Sequence, residues 1–297
     1  MAFGGQSQVA PLLKALIRRP SWNLEGNREY WRETWGYDRQ PDLGAARTEH
    51  DRLARLLQDW GVEVHYVRGE APHLPDSVFT YDQALITDQG ALVLRSGKPA
   101  RLAEADLVRS GLQGLGVPIV HQLEPPLTAD GGDFCWLGED LLLAGRSLRT
   151  NAPQSRGFVN HLRSMGVTVR AVPIPYWAGP GDVMHLMSLL SPVDRDLAVA
   201  YRRLLSVETV EFLESRGIEL IDVPDEEFDG GLGANVLAVS PRKCIMLEGY
   251  DRVRRALEAR GVEVRVFAGR ELSGNMKGGP TCLVLPLLRA ACEGGGS

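Results

Sequence analysis

Near the end of the chain, the stretch KGGPTCLVLPLL sets Cys282 behind two glycines and a proline and ahead of an apolar run. A cysteine at such a strand mouth can serve as a nucleophile, although a buried free cysteine is more often a small inert hydrophobe. Cys135 and Cys244 read as the inert kind, and Cys292 falls in the C-terminal tail. His185, in DVMHLMSLL, interrupts an apolar, strand-like run. A lone histidine there is more often a core residue, but its titration range also suits acid–base work. Carboxylates complete the set. LPDSVFTYDQALI carries Asp76 and Asp82, expected on either side of a strand start, and TADGGDFCW carries Asp130 and Asp133 around a glycine pair. Asp76 also fits a turn cap, and Asp130 and Asp133 fit a plain turn. Asp82 fits that reading poorly, because it lies amid strand-forming residues. Two carboxylates beside one pocket suit a planar guanidinium with its several N–H donors. Taken together, these residues resemble a nucleophile, an acid–base and an orienting group.

Positioning them requires a scaffold, and a repeat supplies it. WGVEVHYV, LGVPIVHQL, MGVTVRAVPI, RGIELIDVP and RGVEVRVFAG recur at Gly61, Gly116, Gly166, Gly217 and Gly261, with spacings of 55, 50, 51 and 44 residues. Periods of this size mark repeated supersecondary units. Each phrase follows a helix-periodic stretch, such as ARTEHDRLARLLQDW or YDRVRRALEAR. The glycine then caps the helix in a left-handed conformation, and a β-branched strand follows. Strand pairs such as FTYDQALITDQGALVLR and NVLAVSPRKCIMLEG precede the helices. The expected unit is ββαβ, repeated five times and closed into a five-bladed α/β propeller over residues 1–297 as one domain. The functional side chains are expected where the blades converge.

Composition narrows the function classes. The 297 residues are 44% hydrophobic and 24% charged, with a formal net charge of -5. No basic block suited to nucleic-acid phosphates occurs; LIRRP and RVRR are too short. No run approaches the ~18 apolar residues of a membrane span. No signal peptide is evident, and four cysteines in so long a chain do not form a disulfide framework, so a reducing cytoplasm is the expected compartment. Neither CxxC nor HExxH spacing appears, and no metal is expected.

The motifs LPDSVFTYD, DGGDFCWLGEDLLLAGRSLRTN, HLMSLLS, ANVLAV and GGPTCLVLPLL come in the order found in the guanidino-group-modifying enzymes, and the likeness runs from ALIRRPS to TCLVLPLL. The chain resembles that superfamily, which includes dimethylarginine dimethylaminohydrolase, arginine deiminase and the amidinotransferases. The resemblance implies a five-bladed α/β propeller, the pentein fold, with pseudo-five-fold symmetry. It also implies Cys282 as nucleophile, His185 as general acid–base and Asp130 as its orienting carboxylate. Asp76, Asp82 and Phe79 would hold the substrate's guanidinium end, and Arg101 and Arg149 would bind its α-carboxylate. Asp133 would act as support. The implied reaction is cofactor-free hydrolysis of a guanidino C–N bond through a covalent cysteine adduct. Transfer of the amidino group to an amine and a non-catalytic binding propeller are the alternatives. The implied partner is a small guanidino compound, and a homodimer is left open. Two departures place the chain between subfamilies. Tyr81 stands where many dimethylarginine hydrolases have Glu, and Met187 stands where deiminases and amidinotransferases usually have Asp.

Overall fold

The computed structural model describes residues 2–291. Among these residues, the strands form five three-stranded sheets. Each sheet is a blade of one design. In the second blade, Ala84–Thr87 pairs antiparallel with Gly90–Val93, the chain continues through helix Glu104–Gly114, and Ile119–Gln122 returns parallel to the middle strand. The third blade repeats this with Phe134–Gly138, Leu141–Arg146, helix Arg156–Ser164 and Thr168–Pro173. In the fourth the elements are Leu190–Asp194, Leu197–Ala200, Val207–Ser215 and Glu219–Asp222. In the fifth they are Leu237–Ser240, Lys243–Leu247, Asp251–Glu258 and Glu263–Phe267.

The first blade is assembled from both ends of the chain. Leu285–Arg289 pairs antiparallel with Leu12–Ile17, which carries Glu63–Tyr66 in parallel after helix Leu43–Gln58. The strand pair that precedes the other four helices is therefore split here, and its union closes the ring.

Local sequence explains the unit. Ser155, Ser206 and Asp42 cap three of the helices by accepting the backbone N–H of Phe158, Thr209 and Ala45. At the far ends, Gly61, Gly116, Gly166, Gly217 and Gly261 have φ of 81°, 73°, 82°, 76° and 74°. At four of them, Gly61, Gly166, Gly217 and Gly261, an added Cβ would meet nothing within 4 Å. Glycine is selected there for its left-handed backbone, not for room. The inner and middle strands are buried almost throughout, so they read as continuous apolar runs, whereas the outer strands are half-exposed.

Apolar side chains fill the spaces between blades. The largest cluster joins the fourth and fifth blades through Leu190, Val193, Leu213, Val253 and Leu257. A second cluster seats the segment from Trp22 to Tyr37 on the first blade, with the rings of Trp31 and Tyr37 stacked 5.8 Å apart. Gly5 N–H donates to Asp88 (2.6 Å) and the Gln6 amide donates to the Glu139 carbonyl, so the N-terminal residues tie the second and third blades together. No helix among the described residues is long and apolar enough to cross a membrane.

Candidate active site

One loop per blade leads into the inner strand, and each loop carries a polar side chain. Asp82 precedes Ala84, Asp130 and Asp133 precede Phe134, His185 precedes Leu190, Asn235 precedes Leu237, and Cys282 precedes Leu285. These loops are buried, so their backbone groups need partners. The partners come from neighbouring blades and make a closed ring. Tyr81 N–H donates to Cys282 O (3.2 Å) and Gly132 N–H to Asp82 Oδ1 (3.1 Å). Leu186 N–H donates to Asp133 Oδ1 (2.9 Å), Val236 N–H to Ser191 Oγ (3.2 Å) and Thr281 N–H to Asn235 Oδ1 (3.0 Å).

Loop conformation differs from expectation at two positions. Asp82 lies in a 3₁₀ turn, Thr80–Gln83, and His185 caps another, Leu186–Ser188; neither is within a strand. The cross-blade bonds draw these residues off the β ladder and into turns, where sequence pattern alone reads a continuous strand.

Cys282, His185, Asp76, Asp82, Phe79, Arg101 and Arg149 line one cavity of about 280 Å3. Asp130 lies behind it, fully buried, with Oδ2 3.3 Å from His185 Nε2 and 3.5 Å from Arg149 Nη1. Burial opposes ionisation of Asp130, but the bond to His185 and the charge of Arg149 hold its carboxyl well below the usual range. His185 is the counterpart. Burial alone would lower its pKa, but Asp133, Asp130 and Asp82 together raise it and favour imidazolium. Asp133 braces the loop, with Oδ2 accepting the Ser147 hydroxyl (2.6 Å).

The thiol of Cys282 is pushed up to about 12, first by burial and next by the charge of Asp82. The Gly279 backbone and Asn235 pull against this, the latter with Nδ2 3.6 Å from Sγ. The two glycines ahead of the cysteine are demanded by space. A Cβ at Gly278 would fall 2.1 Å from the Phe79 ring, and one at Gly279 would fall 2.3 Å from Asn235. Cys135 and Cys244 are wholly buried. Cys292 lies outside the described residues.

Arg101, expected to bind a substrate carboxylate, lines the cavity but is already engaged by neighbouring groups. Its Nε donates to Glu104 Oε2 (2.9 Å), its Nη1 to Asp82 Oδ2 (2.7 Å) and its Nη2 to the carbonyls of Asp76 (3.3 Å) and Phe79 (3.4 Å). A guanidinium so enclosed by acids and carbonyls is committed to the scaffold. Asp76 is also engaged, receiving the Tyr37 hydroxyl and Lys98 Nζ (2.7 Å). Lys98 extends to the Trp35 carbonyl (2.7 Å), and its ammonium lies 5.1 Å from the centre of the Trp35 ring.

Sequence reasoning assigned no role to Lys98, Glu104, Asn235 or Tyr37. A signal existed for three of them. Lys98 and Glu104 flank Arg101 in KPARLAE, and Asn235 is a polar residue just before an inner strand, as Asp82 is. Tyr37 comes from a segment without a counterpart in the repeat. Trp177 lines the cavity from a left-handed backbone (φ 54°), with its Nε1–H on Asp182 (3.2 Å). Tyr81 faces away from the cavity, its hydroxyl 3.1 Å from the Phe134 carbonyl. Among the described residues, no group of three or more His, Cys, Asp or Glu is placed to hold a metal ion.

This arrangement has relatives. Residues 25–118 match the family described as N,N dimethylarginine dimethylhydrolase, eukaryotic. An uncharacterized protein of Aeropyrum pernix is 31% identical over 244 residues, covering 82% of this chain and 84% of its own length. The N(G),N(G)-dimethylarginine dimethylaminohydrolase of Streptomyces coelicolor is 28% identical, covering 93% of this chain and 98% of its own. A crystal structure of a dimethylarginine dimethylaminohydrolase adduct with 4-chloro-2-hydroxymethylpyridine superimposes with a TM-score of 0.73 at 26% identity, over 92% of this chain and 99% of that one. The chain belongs to the guanidino-group-modifying superfamily and has its pentein propeller fold.

Proposed function

We propose that the protein is a cysteine-dependent hydrolase that cleaves a guanidino C–N bond of an arginine-like compound to a ureido product. The observation that carries this reading is the meeting of Cys282 and His185, from the loops of different blades, in one cavity with Asp130 on the imidazole. Burial and the charge of Asp82 favour the protonated thiol. Ionising a group with a pKa of about 12 at neutral pH costs about 7 kcal/mol. A guanidinium about 4 Å away offsets roughly 4 kcal/mol of that at an intermediate effective dielectric. Seating the same cation against Asp82 also cancels a charge that raises the thiol.

The thiol gives its proton to solvent as substrate binds, and the sulfur adds to the central guanidino carbon. His185, favoured as imidazolium, protonates the departing nitrogen, and the C–N bond breaks. The amidino group remains on sulfur as a cationic thioether. Neutral His185 then takes a proton from water, whose oxygen attacks the same carbon. The C–S bond breaks, the ureido product leaves and the cysteine is regenerated. With arginine the products are citrulline and ammonia; with an N-methylated arginine, citrulline and an alkylamine.

Met187 is buried in the core, and Tyr81 points away from the cavity, so neither departure adds a charge to the site. The test is a screen of arginine, mono- and dimethylarginine, agmatine and guanidino acids, reading both ureido product and released amine. We expect at least one to be hydrolysed, with activity lost in Cys282→Ser. A guanidino product formed from an added amine, with no ureido product, would overturn hydrolysis in favour of transfer. No turnover of any compound would overturn the enzyme reading.

A further inference from the structure

Three acids share one buried guanidinium. Arg101 Nε lies 2.9 Å from Glu104 Oε2 and 3.8 Å from Asp76 Oδ2, and its Nη1 lies 2.7 Å from Asp82 Oδ2. Asp76 also holds Lys98 at 2.7 Å. Three carboxyl groups thus meet two cations, and with every member ionised the cluster carries one negative charge in excess. Arg18 acts on Glu104 from a distance, but its guanidinium donates to Ser77, Ser21 and the carbonyls of Gly69 and Val67. Tyr37, with its hydroxyl on Asp76, is held neutral by burial and by the charge of Asp76. On the helix that carries Glu104, Asp106 and Arg109 pair with each other, and His121 on the outer strand stacks on His161. An excess charge in so enclosed a place is costly.

Glu104 is the member placed to lose that charge. It is fully buried, and its Oε2 accepts from both Arg101 and Gln83 Nε2 (2.8 Å). Its Oε1 is buried without a donor, as is the Gln83 carbonyl oxygen. A proton on Oε1 turns a bare acceptor into a donor. Burial raises the Glu104 carboxyl to about 8, and the charges of Asp76 and Asp82 raise it further against the pull of Arg101. Asp76, by contrast, is held low by Lys98 and Arg101 despite its burial. Asp82 lines the cavity, so a guanidinium seated there adds a third cation to the cluster, and all three acids can then be ionised. Arg101 links the two ends, with Nη1 on Asp82 and Nε on Glu104.

We propose that Glu104 is a positioning residue that holds a proton on Oε1 in the free site and yields it to solvent when a guanidinium is seated against Asp82, acting through the shared Arg101. The O–H bond breaks, its electron pair stays on Oε1, and the ligand's charge replaces the proton's. A ureido product is neutral and cannot keep Glu104 ionised, so the proton returns as product forms and the site's hold on the ligand slackens. This rests on the guanidino-hydrolase reading for the kind of ligand.

The test compares Cys282→Ser, where the thiol proton is out of the count, with Cys282→Ser/Glu104→Gln, in which the amide keeps the shape of the neutral acid. Proton release on binding arginine and citrulline is measured by titration calorimetry in buffers of different ionisation heat. At about pH 7, arginine should release up to about one proton more from Cys282→Ser than from the double variant, and the difference should vanish by about pH 10. Protons from Lys98, His185 or the ligand's amino group appear in both proteins and cancel. Below about pH 8 this exchange should strengthen arginine binding by up to about tenfold per pH unit beyond the trend of the double variant. Citrulline should show no Glu104-dependent release. Infrared difference spectra of the free proteins at pH 6 should show a carboxylic-acid carbonyl band that the Glu104→Gln change removes. Equal proton release by the two proteins, equal release by the two ligands, or the lack of that band would overturn the proposal. Failure of arginine to bind would overturn both the exchange and the guanidino reading. Binding with the expected release, but no hydrolysis of any guanidino compound by wild type, would count against the function alone.

Discussion

The two sides of the cavity differ in how many partners their functional groups already hold. On the side of Arg101, the guanidinium faces Glu104, Asp82 and two carbonyls, and Asp76 holds both Tyr37 and Lys98. On the other side, Cys282 Sγ has Asn235 Nδ2 at 3.6 Å and the Gly279 backbone, and His185 has Asp130 at 3.3 Å. Saturated groups set geometry. Unsaturated ones are left for a ligand or a reaction.

Substitutions on the two sides should therefore separate stability from chemistry. Cys282→Ser should reduce turnover by roughly 10⁴-fold or more, as loss of a nucleophile does, while changing unfolding free energy by no more than about 1 kcal/mol. Arg101→Met should do the reverse first. It strands Asp82 without its cation, a kind of loss that costs about 3–5 kcal/mol. Urea denaturation of both variants beside wild type checks the pair. Comparable destabilisation by the two would erase the distinction between the sides. A smaller effect concerns the free thiol. With its pKa pushed to about 12, Cys282 should be alkylated by iodoacetamide about tenfold faster for each pH unit between roughly pH 7 and 10, with no plateau. Peptide-resolved labelling that levels off below about pH 9 would mean that the empty site already holds a thiolate.

The sequence carried the scaffold more fully than the site. Four Gly-Val phrases and one Gly-Ile phrase announced the blades because the left-handed cap at each of those glycines admits little else. The split first blade was harder to see, since Leu12–Ile17 and Leu285–Arg289 lie at opposite ends of the chain and only the closed ring joins them. Polar residues just before apolar strands pointed to Cys282, His185, Asp82 and Asp130, and the structure brings these loops to one axis. The partners of Arg101 were not legible, because sequence shows that an arginine is present but not what surrounds its side chain. Glu104, three residues on, settles that only once the 3₁₀ turn Pro99–Arg101 and the following helix turn both inward. The segment carrying Trp35 and Tyr37 has no periodic counterpart, so its reach to Asp76 and Lys98 is visible only in three dimensions.

Everything chemical here depends on sulfur bonding to the guanidino carbon under the reach of the imidazole. Acid-quenching the wild type and His185→Gly during reaction with an accepted guanidino substrate, then mapping peptides by mass spectrometry, tests this directly. The account predicts an added amidino mass on the peptide containing Cys282, more abundant or longer-lived in His185→Gly. Steady wild-type turnover with Cys282 unmodified in both proteins, or the added mass on a different residue, would contradict it.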